Sequence, residues 1–307
     1  MSELELSTPL FWASEYVALG PSNGKLIGYL DDKPTIYKGD SNFEWQYLIA
    51  ILDEEMSISS PPSASFGGFF PFSPSEQVID VEKAITALPA LFPNAEVVSI
   101  VYPPDYFYPD IFSPQIADLL SCGFQCDLID VCFYIDISSW SISSLSKGNR
   151  KKLRQQKELG ASFSPVGLGS LETIYQLIYT NRKMKGVNPS MTLDQVRRAF
   201  LALPTNYELY ELRLNSVLIA GAVTVRISDD SLYVLYWADN FDYRTLSPIV
   251  GMCEGLVDIC AERGIRTLDL GGTYAQGVFN EGLGLFKSNL GALPSNKCSV
   301  SGPLIRP

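Results

Sequence analysis

The chain has 307 residues, 46% of them hydrophobic and 19% charged, which suits one large or two medium folded domains and argues against a disordered chain. A formal net charge of −11 argues against broad non-specific attraction to nucleic acid or anionic lipid. The absence of histidine excludes Ser-His-Asp and Cys-His catalytic sets and histidine-bound zinc, so any general base is a carboxylate, a tyrosine, a lysine, the substrate or water.

In chain order, KLIGYL and KPTIYK read as short strands around an Asp-Asp turn. In SNFEWQYLIAIL, Ser41 followed by Glu44 has the form of a capping box, which predicts a helix. SFGGFF reads as a strand with a glycine break. A helix with Val81, Ala84, Ile85 and Leu88 on one face follows, then a buried strand, EVVSIVY. SPQIADLLSCG reads as a helix with Ser113 as N-cap, Pro114 at its first position and Gly123 as its stop. CDLIDVCFYIDI returns as a strand.

The segment KGNRKKLRQQK, residues 147–157, is a helix carrying six cations and no acid. Helices at about 171–184 and 193–203 come next, the second with Thr192 and Gln195 as a capping box. YELYELRL and VLIAGAVTVRI form a hairpin about Asn215-Ser216, and SLYVLYW extends it. The clearest helix has Leu246, Ile249, Val250, Cys253, Leu256, Val257 and Cys260 on one face, starts at Ser247-Pro248 and stops at Arg263-Gly264. RTLDL is a strand, and the glycine-rich run LDLGGTYAQGVFNEGLGLFKSNLGA ends in a short helix.

None of the six cysteines forms a C-x-x-C pair, so buried free thiols are expected. No apolar run reaches the ~18 residues that span a bilayer, and the N-terminus lacks the basic start of a secretory signal, so a cytoplasmic location is expected. Pro74 to Gly123 and Pro248 to Gly291 hold the same order of elements, which predicts two diverged copies of one α/β unit, 1–140 and 141–307.

That element order, with the strings LLSCGFQCDLIDVCFYIDIS, SLSKGNRKKLRQQKELGASF and LDLGGTYAQGVFNEGLGLFKSNLGA, resembles the acyl-CoA N-acyltransferase (GNAT-like) superfamily and its Fem-type peptidoglycan-bridge aminoacyltransferase branch. The resemblance covers most of residues 119–292. It implies an α/β fold of mixed sheets, with tandem acyltransferase-like units and a cleft between them. Two departures stand out. The turn before the long helix reads DYRTLSP, where many coenzyme-A-dependent members have a Gln/Arg-x-x-Gly-x-Gly/Ala turn. The long charged heptad insertion of some bridge-forming transferases is missing.

Several residues carry candidate chemistry. The resemblance implies that Phe286 and Lys287 lie in the donor or acceptor pocket, where a fixed ammonium stabilises a tetrahedral oxyanion. The residues alone favour a solvated lysine beside a core phenylalanine. Gly271 and Gly272 follow a strand end, where bare backbone suits a close-lying ligand, or form a plain flexible loop. The helix start at Arg244 and Thr245 suits a phosphate. Arg150, Lys151 and Arg154 suit an anionic partner, or form a solvated face of an acidic protein. Asp239 is a candidate proton acceptor and Tyr236 a residue to orient the amine.

The expected function is transfer of an activated acyl or aminoacyl group to an amine, in the second unit, from acyl-CoA or aminoacyl-tRNA and without a metal. A small anionic or nucleotide-linked substrate is preferred over tRNA, and no membrane span is expected. The alternative is a non-catalytic ligand-binding protein that retains the fold.

Overall fold

The computed structural model describes residues 81–91, 93–107, 109–202, 204–275 and 278–304, with short strands at 37–38, 47–49, 51–52, 57–59 and 68–70. The fold is mixed α/β. It divides into two compact units, one of Met1–Val131 with Ser295–Pro307 and one of Cys132–Pro294.

In the first unit, β1 (Tyr37–Lys38), β2 (Tyr47–Ile49) and β5 (Gly68–Phe70) pair antiparallel. Elsewhere β3 (Ile51–Leu52) pairs with β4 (Ser57–Ser59), and β4 runs parallel to β6 (Val97–Val101). The C-terminal strand β15 (Leu293–Pro303) returns antiparallel to β6 and neighbours β7 (Gln125–Asp136). Helices α1 (Val81–Leu91) and α2 (Pro109–Ser121) contact each other, and Ile58, Ile85, Leu88, Val98, Ile100 and Leu119 are buried.

Two expectations are corrected here. Residues 47–49 and 51–52 are strand rather than helix; Tyr, Leu and Ile suit a pleated, half-buried surface, while Ser41 and Glu44 lie outside the described residues. Helix α2 starts at Pro109, so Pro114 sits inside it and Ser113 is not its cap. Gly123, at φ +91°, ends that helix as expected.

The second unit carries strands in the order β7, β12 (Thr267–Gly272), β11 (Ser231–Asp239), β10 (Val217–Ser228), β9 (Tyr207–Leu214) and β8 (Ser162–Val166). Neighbours are antiparallel except for the β11–β12 pair, which is parallel. The β9–β10 hairpin turns at Asn215-Ser216, both at positive φ, 49° and 68°, which matches the right-handed twist of the strands it joins.

Helix α4 (Leu171–Met184) packs on β10 and β11, where Ile174 lies over Gly221. Helix α6 (Pro248–Glu262) packs on β8 to β12, with Gly251 against Leu212 and Gly255 against Phe163. Gly221 pairs with Glu211 and Phe163 with Leu212, and adjacent residues of a strand point to opposite faces. The two helices therefore cover opposite faces of the sheet.

Helix α5 (Leu193–Ala202) begins with the reciprocal Thr192–Gln195 bonds expected of its capping box. Helix α3 (Lys147–Glu158) is capped by Ser146 and buries Leu153 and Gln156. Helix α7 (Glu281–Ser288) is capped by Asn280.

A Cβ at Gly255 would lie 2.3 Å from the Phe163 ring, so α6 rests on β8 only with a bare Cα there. Gly255→Ala is expected to lower stability by roughly 1–3 kcal/mol, read by urea denaturation. Phe163→Leu in the same chain should recover part of that loss, and an unchanged midpoint in the single variant would contradict the packing.

Candidate functional site

The site begins with two strands that separate. β11 stays paired with β10 to its last residue, Asp239 opposite Ala220. On its other side it pairs with β12 only through Ser231, Leu232 and Tyr233, the last opposite Asp269. Beyond Tyr233, that edge of β11 has no strand partner among the described residues. Six residues, Val234 to Asp239, give roughly 20 Å of strand without a strand partner on that side, the last carbonyl, that of Asp239, accepting from Asn181 Nδ2 at 3.1 Å.

The separation is built by β12. Gly271 is left-handed, at φ +76°, a conformation that costs glycine little, and its N–H donates to Asp269 Oδ1 at 2.6 Å. Lys287 reaches back from α7 and donates through Nζ to the carbonyls of Gly271 at 2.8 Å and Gly272 at 2.7 Å. It is only 3% exposed. The predicted site lysine is thus a buried brace on the glycine bend, with two N–H bonds committed to backbone. Phe286 beside it is half-buried.

At the far end of β11, side chains from three elements meet. Asp239 accepts from Asn181 Nδ2 at 2.7 Å and from Arg244 Nε at 3.2 Å. The Arg244 guanidinium lies 3.5 Å over the Phe241 ring. Arg182 sits 5.7 Å from the Tyr236 ring centre. Partial burial, and then the nearby Arg244, hold the Lys185 ammonium below its usual range; Arg182 adds to this and Asp239 opposes it. Tyr236, buried, accepts from the Met191 N–H at 2.9 Å and shares a short hydrogen bond with Ser190. The structure therefore pairs Asp239 with Arg244 and places Tyr236 with Ser190, Met191 and Arg182.

The turn into α6 follows directly. Phe241–Leu246 is a 3-10 turn, and Ser247 takes the left-handed conformation at φ +53° without being glycine. Three successive carbonyls of this turn accept from α3. Lys152 Nζ bonds Thr245, and Gln156 Nε2 bonds Leu246 at 2.8 Å and Ser247 at 3.0 Å. Pro248 then opens the helix at its first position. A helix start attracts anions, and here it stands beside Arg244.

The other α3 cations divide. Arg150 bonds the carbonyl of Ser143 at 3.0 Å, and also that of Leu145. Lys157 pairs with Glu254 at 2.6 Å. Lys151 and Arg154 are exposed on the outer face. Asn181, Arg182, Lys185, Ser190 and Gln156 were not singled out in the sequence; the run NRKMK at a helix end was the available signal for the first three. A groove of about 430 Å³ between α3, β8 and α6 is lined by Leu153, Gln156, Phe163 and Leu212 among others, and not by Tyr236, Asp239 or Arg244. Among the described residues, no three Cys, Asp or Glu side chains are grouped to hold a metal ion, and no helix is long and apolar enough to cross a membrane.

Residues 146–279 match the acetyltransferase (GNAT) domain family. FemX shares the fold, with a TM-score of 0.60 at 15% identity over 86% of this chain and 92% of that one. A conserved protein of unknown function from Bacteroides thetaiotaomicron gives a TM-score of 0.58 at 11% identity, covering 88% of this chain and 86% of that one. The C-terminal domain of a protein assigned as a lysylphosphatidylglycerol synthetase, from Agrobacterium fabrum, gives 0.52 at 11%, over 80% of this chain and 78% of that one. No curated protein matches the sequence. Residues 146–279 are thus similar to the GNAT acetyltransferase domain family, and the chain shares its fold with FemX.

Replacing Lys287 with Met keeps most of the stem and removes the donor. Two backbone carbonyls then lose a charged partner, at a cost of roughly 1–3 kcal/mol. Chemical denaturation should show that loss directly, whereas an unchanged midpoint would mean that Lys287 does not brace the bend.

Proposed function

We propose that the protein is an N-acyltransferase that takes an activated acyl group from a coenzyme A thioester and passes it to an amine. The GNAT domain match supports the acyl-transfer class. The observation that carries the finer reading is the open edge of β11 from Val234 to Asp239. An extended chain carrying amides, such as the pantetheine arm of coenzyme A, can add to such an edge as a further strand would. The phosphates of the same donor would then meet the start of α6 with Arg244, Lys185 and Arg182. An anion there would be attracted by all three cations.

In this reading, the amine nitrogen attacks the thioester carbonyl directly, and an edge N–H of β11 stabilises the tetrahedral oxyanion. The C–S bond breaks, the thiolate leaves, and the proton lost by nitrogen ends on sulfur. Tyr236 and Ser190, already sharing a hydrogen bond, supply the hydroxyl pair that moves that proton. Asp239 accepts from Asn181 and Arg244, which suits orientation of its neighbours. A covalent cysteine route finds no support. Cys253 and Cys260 are buried on α6, and burial pushes the Cys260 thiol up to about 12.

The small donor is favoured over aminoacyl-tRNA because Arg150, Lys152 and Lys157 are engaged within the chain. That leaves the outer face of α3 a short basic stripe of Lys147, Lys151 and Arg154 on a protein of net charge −11.

Calorimetry with coenzyme A tests the proposal. Arg244→Gln and Lys185→Gln should each weaken binding about tenfold, while the triple Gln variant of Lys147, Lys151 and Arg154 should bind as the parent does. The dependence on salt should be shallow. Absence of coenzyme A binding, alongside steeply salt-dependent tRNA binding that the triple variant loses, would replace this donor with aminoacyl-tRNA.

A further inference from the structure

Two thiols that play no part in the acyl-transfer site meet in the first unit. Cys126 on β7 and Cys298 on β15 have their sulfurs 3.5 Å apart, on neighbouring strands, although 172 positions separate them in sequence. The strands are tied beside them by the Ser301 hydroxyl, which donates to Asp127 at 2.8 Å. The backbone of Cys298 is fixed as well, since its carbonyl accepts from the Tyr102 N–H at 2.9 Å. Cys126 is exposed and Cys298 is buried. Cys132, Cys253 and Cys260 are buried, and Cys122 is half-buried.

We propose that Cys126 and Cys298 form a thiol-modification site whose co-reactant is a low-molecular-weight disulfide, which oxidises the pair to an intramolecular disulfide. Exposure assigns the order of events. The Cys126 thiolate attacks one sulfur of the small disulfide, the S–S bond breaks, and one small thiolate leaves. Cys298, as its thiolate, then attacks the Cys126 sulfur of the mixed disulfide and expels the second. Two protein thiols are oxidised by two electrons, one small disulfide is reduced to two thiols, and the two protons go to those thiols. The sulfurs need to close from van der Waals contact to about 2 Å, a movement open to the exposed Cys126 side chain.

Burial, reinforced by the hydrogen bond with Cys126, pushes the Cys298 thiol up to about 12. Cys298 therefore stays protonated near neutral pH and does not meet the oxidant first. The mixed disulfide at Cys126 therefore forms first and is the intermediate that Cys298 resolves.

The test is incubation of the full chain with oxidised glutathione, followed by intact mass and peptide mapping. The expected product has lost two hydrogen masses, links the peptides containing Cys126 and Cys298, and reverts with dithiothreitol. Cys298→Ser should stop at a persistent glutathione adduct on Cys126, and Cys126→Ser should give neither bridge nor adduct at Cys298. A bridge that uses Cys122 instead, or a parent chain that holds its Cys126 adduct as long as Cys298→Ser does, would overturn the proposal.

Discussion

The proposed acyl transfer depends on β12 leaving β11 after three paired residues. Had the parallel pairing continued beyond Tyr233, the β11 edge would be spent on the sheet and nothing could lie along it. The departure is held by a few groups. Gly271 supplies a left-handed bend, Asp269 accepts its N–H, and Lys287 holds the next two carbonyls from α7. A buried ammonium is expensive unless hydrogen-bonded, so a lysine 3% exposed is tolerated because those carbonyls receive it. The same two bonds satisfy carbonyls that a continued ladder would have satisfied.

A second constraint acts at the other end of the opening. The turn from β11 into α6 reverses direction through a serine at φ +53°, a conformation that L-residues rarely adopt. Three successive carbonyls of that turn are held by Lys152 and Gln156, one helical turn apart on α3. The helix that looked most like an anion-binding surface thus spends part of its charge and one buried amide on the backbone of the turn. Positive charge gathers at the turn from Arg244 and from the C-terminal end of α4. Asp239 is the carboxylate among them, held by Asn181 and Arg244.

Much of this was legible in the sequence, because local signals and the fold agreed. The helices at 147, 171, 193 and 248, the hairpin at Asn215-Ser216 and the Thr192–Gln195 capping box carry period, cap and turn chemistry that point one way. The misreadings have physical causes. Residues 47–52 carried a cap-like pair upstream, but β-favouring side chains decided the outcome. In α2 the usual meaning of Pro114 as a helix start was displaced by Pro109. The site was half legible. Asp239 and Arg244 lie close in sequence and meet in space, whereas Asn181, Arg182 and Lys185 arrive from a helix more than fifty residues earlier, and only tertiary structure joins them to Asp239, Tyr236 and Arg244. The left-handed Ser247 was invisible because glycine is the usual sign of that conformation.

The β11 edge is the donor's seat in the proposed reaction, and amide hydrogen exchange with and without coenzyme A measures that edge directly. Exchange is expected to slow in Val234–Asp239 and in the first turn of α6 when coenzyme A is present, and to stay unchanged in β9 and β10, which are already paired. Protection confined to other elements, with β11 exchanging as before, would contradict the account.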